Sequence, residues 1–282
     1  MSIFACPVCR SALARDNATH RCANNHTFDI AREGYVNLLL AHQKKTADPG
    51  DNKEMVASRS AFLDAGHYDP LSDALNERVL SLAQHNTSEA FQLLDAGCGE
   101  GFYLRRLAAH LQPKLSAHDL WGIDIARAAV RAASRRDKDS HFAVASTYRF
   151  PVLDSSVHAI CRIFAPGDPA EFYRVLRPGG TLLTVAPGPQ HLAELKALCY
   201  ETPKPHEPEA IPEGFNRIDQ QQIAYALHLK GEEIGHLLRM TPYYWHLSQQ
   251  TQQQILALDA LRARTDFILT TYQKNRLSPS AH

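Results

Sequence analysis

The chain has 282 residues, of which 44% are hydrophobic and 21% charged, a soluble globular composition long enough for about two domains. Disorder, collagen and coiled coil are excluded. Thirty Lys and Arg against thirty Asp and Glu leave no net charge, so a uniformly basic nucleic-acid binder is excluded too, and a polyanion surface would have to be a local patch.

In chain order, residues 1–40 read as a small zinc-binding module. They hold Cys6-Pro-Val-Cys9, then Cys22 and His26, with turn-rich polar residues between and little apolar material for a core. Two thiolates two residues apart fit one tight turn, and a second pair across a hairpin closes a tetrahedron around Zn²⁺. Four protein ligands leave no open position, so the metal is expected to be structural. Residues 41–90 read as linker and helical segment, with helical spacing over 54–84 broken at Gly66 and Pro70.

Residues 91–282 alternate short apolar strands with helices. Strands are expected at Phe91–Asp95, Leu120–Asp124, Phe142–Ala145, Val157–Phe164 and Thr181–Ala186. Helices are expected at 102–111, 126–136 and 169–176, the last ended by Arg177-Pro178-Gly179-Gly180. Two further strands, 221–229 and 262–273, flank a helix at 231–239. This alternation is that of an α/β fold with a parallel, doubly wound sheet.

Asp95-Ala-Gly97-Cys-Gly99-Glu-Gly101 links the first strand to its helix. The spacing is not the G-x-G-x-x-G of dinucleotide sites. It is the D-x-G-x-G-x-G form suited to S-adenosylmethionine, whose ammonium and sulfonium favour an acid beside the loop. Asp124 ends the second strand, where a carboxylate accepts both ribose hydroxyls. The loop after the fourth strand, Arg162-Ile163-Phe164-Ala165-Pro166, lacks the Asn/Asp-Pro-Pro-aromatic motif that cradles an exocyclic amine. Ring-nitrogen, oxygen, carbon or small-molecule targets remain.

Several further blocks carry a family resemblance. They are Glu33-Gly34-Tyr35-Val36-Asn37-Leu38-Leu39, Asp48-Pro49-Gly50-Asp51, Phe62-Leu63-Asp64-Ala65-Gly66-His67-Tyr68 and Pro187-Gly188-Pro189-Gln190-His191-Leu192. Together with Cys6–His26 and Asp95–Gly101 they resemble the zinc-containing 23S rRNA (guanine-N1)-methyltransferases. The resemblance implies a class I (Rossmann-like) S-adenosylmethionine methyltransferase domain behind a small N-terminal zinc-binding module. It also implies a homodimer acting on a 23S rRNA hairpin, and cofactor contacts at Tyr68, Tyr103, Leu104, Asp124 and His191 beside Asp95, Gly97 and Gly99. Phe164 departs from it, standing where relatives often carry Tyr.

Guanine N1 carries a proton that must leave, and His67, Asp51 and Glu33 are candidate acceptors, among which the sequence does not choose. Arg127, Arg131 and Arg135 share one helix face, either for phosphates or as a solvated face, and Lys44-Lys45 is a second basic patch. Tyr35, Phe164, Tyr243, Tyr244 and Trp245 are candidate base-stacking platforms. The rival reading is a small-molecule S-adenosylmethionine-dependent methyltransferase, which leaves the zinc module and the 33–39 block unexplained. With neither a signal peptide nor a membrane-length apolar run in view, a cytoplasmic protein is expected.

Overall fold

In the computed structural model, which describes residues 2–43, 49–85 and 90–275, the cysteine-bearing segment forms a small antiparallel sheet. Its strands are β1 (Leu13–Asp16), β2 (Thr19–Cys22) and β3 (Thr27–Asp29), in that order. The chain then contributes β4 (Val36–Asn37), which pairs in parallel with the edge of the main sheet. The Lys44-Lys45 patch lies outside the described residues.

Helix α1 (Lys53–Asp64) begins at Asn52, whose side chain accepts from the Met55 amide at 2.9 Å. Helix α2 (Asp69–Gln84) follows after a turn through Gly66. Pro70 does not break this helix. It sits in the first turn, where a missing N–H leaves no hydrogen bond unmade.

The main sheet then builds from β5 (Phe91–Ala96), α3 (Phe102–Leu111), β6 (His118–Asp124), α4 (Arg127–Arg136), β7 (His141–Val144), β8 (Val157–Ile163), α5 (Pro169–Val175) and β9 (Leu176–Pro187). The chain closes with α6 (Ala193–Cys199), β10 (Phe215–Lys230), α7 (Glu232–Met240), α8 (Gln249–Leu256) and β11 (Ala260–Lys274). The strand order is β10-β11-β9-β8-β5-β6-β7-β4. Strands β4 to β9 pair in parallel, and β10 and β11 add antiparallel, making the sheet mixed. The expected Arg177–Gly180 turn falls inside β9 instead. It is a local slip in pairing, with Val157 opposite Leu176 and Ala159 opposite Thr181.

Alternate residues of β5 face opposite sides of the sheet. Phe91 and Leu93 pack with α2 and α3 through Leu75, Leu104 and Leu107. Leu94 and Ala96 pack on the other side with Ile3, Phe4 and Leu13. The zinc-binding segment therefore covers sheet surface that would otherwise need a helix. None of the described helices is long and apolar enough to cross a membrane.

Candidate active site and metal centre

Strand order reverses at β5, which runs between β6 and β8, and ligands of open α/β sheets bind beyond the carboxyl ends at such a point. A cleft of about 770 Å³ opens there. Its floor is the Gly97–Gly101 loop, in which all three glycines take positive φ. Gly97 has no room for a side chain, because a Cβ would fall 2.3 Å from that of Ala165 in the loop after β8. At Gly99 a Cβ would meet nothing nearer than Arg59 Nη1 at 3.8 Å. Its backbone thus presents an open surface to a ligand.

Four carboxylates ring this floor. Asp124 accepts from the Gly99 amide at 3.0 Å through Oδ2 and from the Ala126 amide at 2.7 Å through Oδ1. Burial still raises its pKa. Asp95 is 2% exposed, and its Oδ1 has no hydrogen-bond partner. Burial, reinforced by Asp124 and Glu100, pushes its carboxyl up to about 8. Glu100 is also buried with Oε1 unpartnered, and burial raises it too. Asp51 is held by Arg59 in a short ion pair. Buried acceptors without donors are costly unless a ligand supplies them. The ammonium and ribose hydroxyls of S-adenosylmethionine are such donors, so the residues fit that cofactor.

Across the cleft, His191 accepts from the Asp266 amide at 3.2 Å through Nδ1, and burial, then His206, lowers its pKa to about 3. It is therefore neutral with its proton on Nε2, facing away from that bond. Phe164, at φ 52°, stacks on the His191 ring at 6.1 Å, with no hydroxyl to offer.

The structure brings Asp51, Tyr68, Asp95, Gly97, Gly99, Tyr103, Asp124 and His191 together around this cleft. Three sequence-expected residues are placed elsewhere. Leu104 is 1% exposed and turns into the core, since one helical step from Tyr103 carries it to the buried face. His67 packs on Phe62, and its Nε2 lies 3.2 Å from Glu233. Glu33 accepts from Arg131 at 2.6 Å and Arg135 at 3.2 Å, and Arg131 holds its carboxyl below the usual range. Neither faces the cleft, so neither is positioned to take a proton there.

The Sγ atoms of Cys6, Cys9 and Cys22 and a ring nitrogen of His26 all lie within 4.8 Å of one another. His26 Nδ1 is 3.5 Å from Cys6 Sγ and 3.4 Å from Cys22 Sγ, and Cys9 and Cys22 Sγ are 3.7 Å apart. A tetrahedron with zinc bond lengths has edges of roughly 3.8 Å between sulfurs and 3.5 Å from sulfur to nitrogen. The four ligands thus stand where Zn²⁺ requires them. The Ser11 hydroxyl and amide lower the Cys9 thiol to about 5, favouring the thiolate that metals bind.

A family profile described as "RlmA, N-terminal", a zinc ribbon, matches residues 4–47, and one described as "Methyltransferase domain" matches residues 93–180. A 23S rRNA (guanine(748)-N(1))-methyltransferase of Streptomyces fradiae is 37% identical over 247 residues, spanning 86% of this chain and 85% of that protein. The chain belongs to the 23S rRNA (guanine-N1)-methyltransferase family. Relatives from Micromonospora griseorubida (35% identical, 86% of each chain) and Bacillus subtilis (34%, 86% of this chain and 87% of that one) carry the same assignment provisionally. As a member of this family the chain is an S-adenosylmethionine-dependent methyltransferase with a zinc ribbon.

Family membership sharpens the reading of the 33–39 block. Glu33 gathers Arg131 and Arg135, Tyr35 Oη accepts from Arg127 at 3.1 Å, and Lys138 reaches the Glu33 carbonyl at 3.0 Å. The arginine stripe of α4 therefore clamps the segment after the zinc ribbon, while Arg131 and Arg135 keep more than half of their side chains exposed. Tyr35 is buried in that clamp, whereas Phe164 and Trp245 remain exposed. Sequence reasoning did not find Arg59, Glu100, Arg162, His206 and Glu209 in the cleft wall. Glu100, inside the glycine loop, and Arg162, in the loop after the fourth strand, carried a local signal; the others did not.

Replacing Asp124 with Ala is expected to weaken S-adenosylhomocysteine binding about ten- to a hundredfold, the equivalent of ~1.5–3 kcal/mol for a lost charge-assisted hydrogen bond. Calorimetry measures this directly, and an unchanged Kd would mean that the ribose is held elsewhere.

Proposed function

We propose that this chain transfers the methyl group of S-adenosylmethionine to N1 of a guanine in a hairpin of 23S rRNA, working as a cytoplasmic homodimer. The observation that carries this reading is a family relationship spanning both the zinc ribbon and the methyltransferase domain, which share one buried cluster in this structure. A small-molecule methyltransferase would have no use for the ribbon or for the clamp behind it.

S-adenosylmethionine supplies an electrophilic methyl group on a sulfonium, already a good leaving group. The chain's own contribution is alignment, which places nucleophile and methyl in line. Asp124 would hold the ribose hydroxyls, Asp95 and Glu100 would offer their unpartnered oxygens to cofactor donors, and Gly99 would let the backbone approach, with Gly97 making room for Ala165. Tyr68, Tyr103 and His191 wall the cleft. The N1 edge is the Watson–Crick edge, so the base must leave its pair before it reaches the cleft. Phe164, 43% exposed beside His191, offers an apolar ring for it to stack on.

An N1 methyl group blocks base pairing, so primer extension on 23S rRNA should stop one nucleotide before the modified guanine. Deleting the gene should remove the stop, and purified enzyme with S-adenosylmethionine should restore it. Mass spectrometry of the restored nucleoside must then place the methyl on N1. A methyl on N2, N7 or the ribose would refute the assignment even with the stop restored.

A further inference from the structure

The segment of residues 201–214, between α6 and β10, contributes His206 and Glu209 to the cleft wall. Two side-chain contacts hold it beside the cleft. Lys196 of α6 donates through Nζ to the Lys204 carbonyl at 3.2 Å, and Arg162, at the end of β8, forms a short ion pair with Glu209. Arg162 also donates to the Ala165 carbonyl at 3.2 Å, and Ala165 is the residue pressed against Gly97. The second anchor is thus coupled to the point where the loop after β8 meets the glycine loop. His206 stands between the anchors, its ring 6.2 Å from that of His191, and it lines the cleft.

The other acid–base groups of the cleft are paired or stand at the glycine loop. Asp51 is paired with Arg59, and Asp95, Glu100 and Asp124 surround the glycine loop on the cofactor side. Glu209 is paired with Arg162, and Nδ1 of His191 is taken by a backbone amide. The Nε2 of His206 is buried and has no hydrogen-bond partner. His206 lines the cleft, and an unpartnered nitrogen there is a group waiting for a donor; guanine N1–H, brought against His206 by an entering base, is one.

We infer that His206 is the catalytic residue that accepts the guanine N1 proton, an assignment that rests on the guanine-N1 reading above. With the ring neutral and its proton on Nδ1, Nε2 offers a lone pair. The N1–H bond breaks and its proton passes to Nε2. The freed electron pair on N1 forms the bond to the methyl carbon, and the carbon–sulfur bond breaks with its pair left on sulfur. The imidazolium then returns its proton to water.

The surroundings keep the ring in the accepting form. Burial and then Lys196 lower its pKa, opposed by Asp266 of β11. His191 is neutral, and the Arg162–Glu209 pair balances itself. Because the pKa is lowered, His206 is neutral at pH 7, and activity should fall only as pH drops through that lowered value.

The test uses the full-length protein with zinc, a synthetic hairpin of the target sequence and mass-spectrometric detection of N1-methylguanosine. His206→Ala should lower the single-turnover rate by about 10²–10⁴-fold and abolish the acid limb of the pH profile. Added imidazole should restore part of the rate, and S-adenosylhomocysteine affinity should hold, showing an intact cofactor cleft. His206→Gln, which keeps bulk and polarity without a basic nitrogen, should be as slow as Ala. Activity of either variant within about threefold of wild type would overturn the inference. So would a slow His206→Ala that keeps the acid limb and ignores imidazole. A wild-type protein that leaves N1 unmethylated would instead overturn the guanine-N1 reading itself, and this assignment with it.

Discussion

Replacing Cys22 with Ser is expected to unfold the N-terminal module and to destabilise the domain beneath it. The ribbon's three strands hold four, four and three residues, and most of their side chains are exposed or half-exposed. Such a unit has too little core of its own, whereas a structural zinc site contributes an apparent ~10–16 kcal/mol. That matches or exceeds the whole stability of an ordinary domain, about 5–15 kcal/mol. The consequences spread because Phe4 and Leu13 share a buried cluster with Leu94, Ala96 and Trp121 of the main sheet. Loss of the metal therefore uncovers apolar sheet surface next to β5, the strand that feeds the glycine loop. Metal analysis of the wild type should find about one zinc per chain. Cys22→Ser and chelated wild type should both show a lowered Tm, rapid proteolysis within residues 1–40 and weakened RNA binding. A metal-free wild type that stays folded and active would refute the structural role of zinc.

The zinc ligands were legible in the sequence because tetrahedral geometry is encoded in short spacings, and the structure places all four within one coordination sphere. Helix α3 was legible for a similar reason. A glycine turn fixes its start, and Leu104, Leu107 and Leu111 recur on one face. Helices α6 and α8 were not: the equally short α5 is marked by Asp168-Pro169 at its start, whereas α6 begins with no side-chain cap and α8 buries only Ile255.

The candidate site divides in the same way. Asp95, Gly97, Gly99 and Asp124 lie at strand ends, where chain order alone predicts a site. Arg162 and Glu209 meet only through tertiary structure, 47 positions apart. Glu33 and His67 illustrate the converse error. Both sit in blocks that mark the family, but Glu33 gathers arginines 98 and 102 positions away, and His67 pairs with Glu233. A distinctive motif identifies a fold as readily as a reaction, because long-range clamps are specific too.

Cofactor binding at pH 7 is expected to release a proton from Asp95. This side chain ends β5 with one oxygen unpartnered, and burial, then Asp124 and Glu100, lifts its pKa from the ordinary 3.8 to about 8. The cofactor-free chain thus holds Asp95 protonated where the unfolded chain would have it ionised. Between about pH 4 and pH 8 the folded state binds more protons than the unfolded one, so stability contributed by this group falls as pH rises. A cation seated against the carboxyl reverses the preference, because it favours the charged form. Proton release and cofactor affinity are then linked. Between pH 6 and 7.5, affinity should rise with pH towards a limit of about tenfold per pH unit, the slope for one proton lost on binding. Calorimetry in two buffers of different ionisation enthalpy measures the released proton directly. Asp95→Asn, which cannot ionise, should bind more weakly and show neither the release nor the slope. If Asp95→Asn keeps the wild-type pH dependence, the proton comes from another group, and the buried Glu100, whose Oε1 also lacks a partner, becomes the acid facing the cofactor.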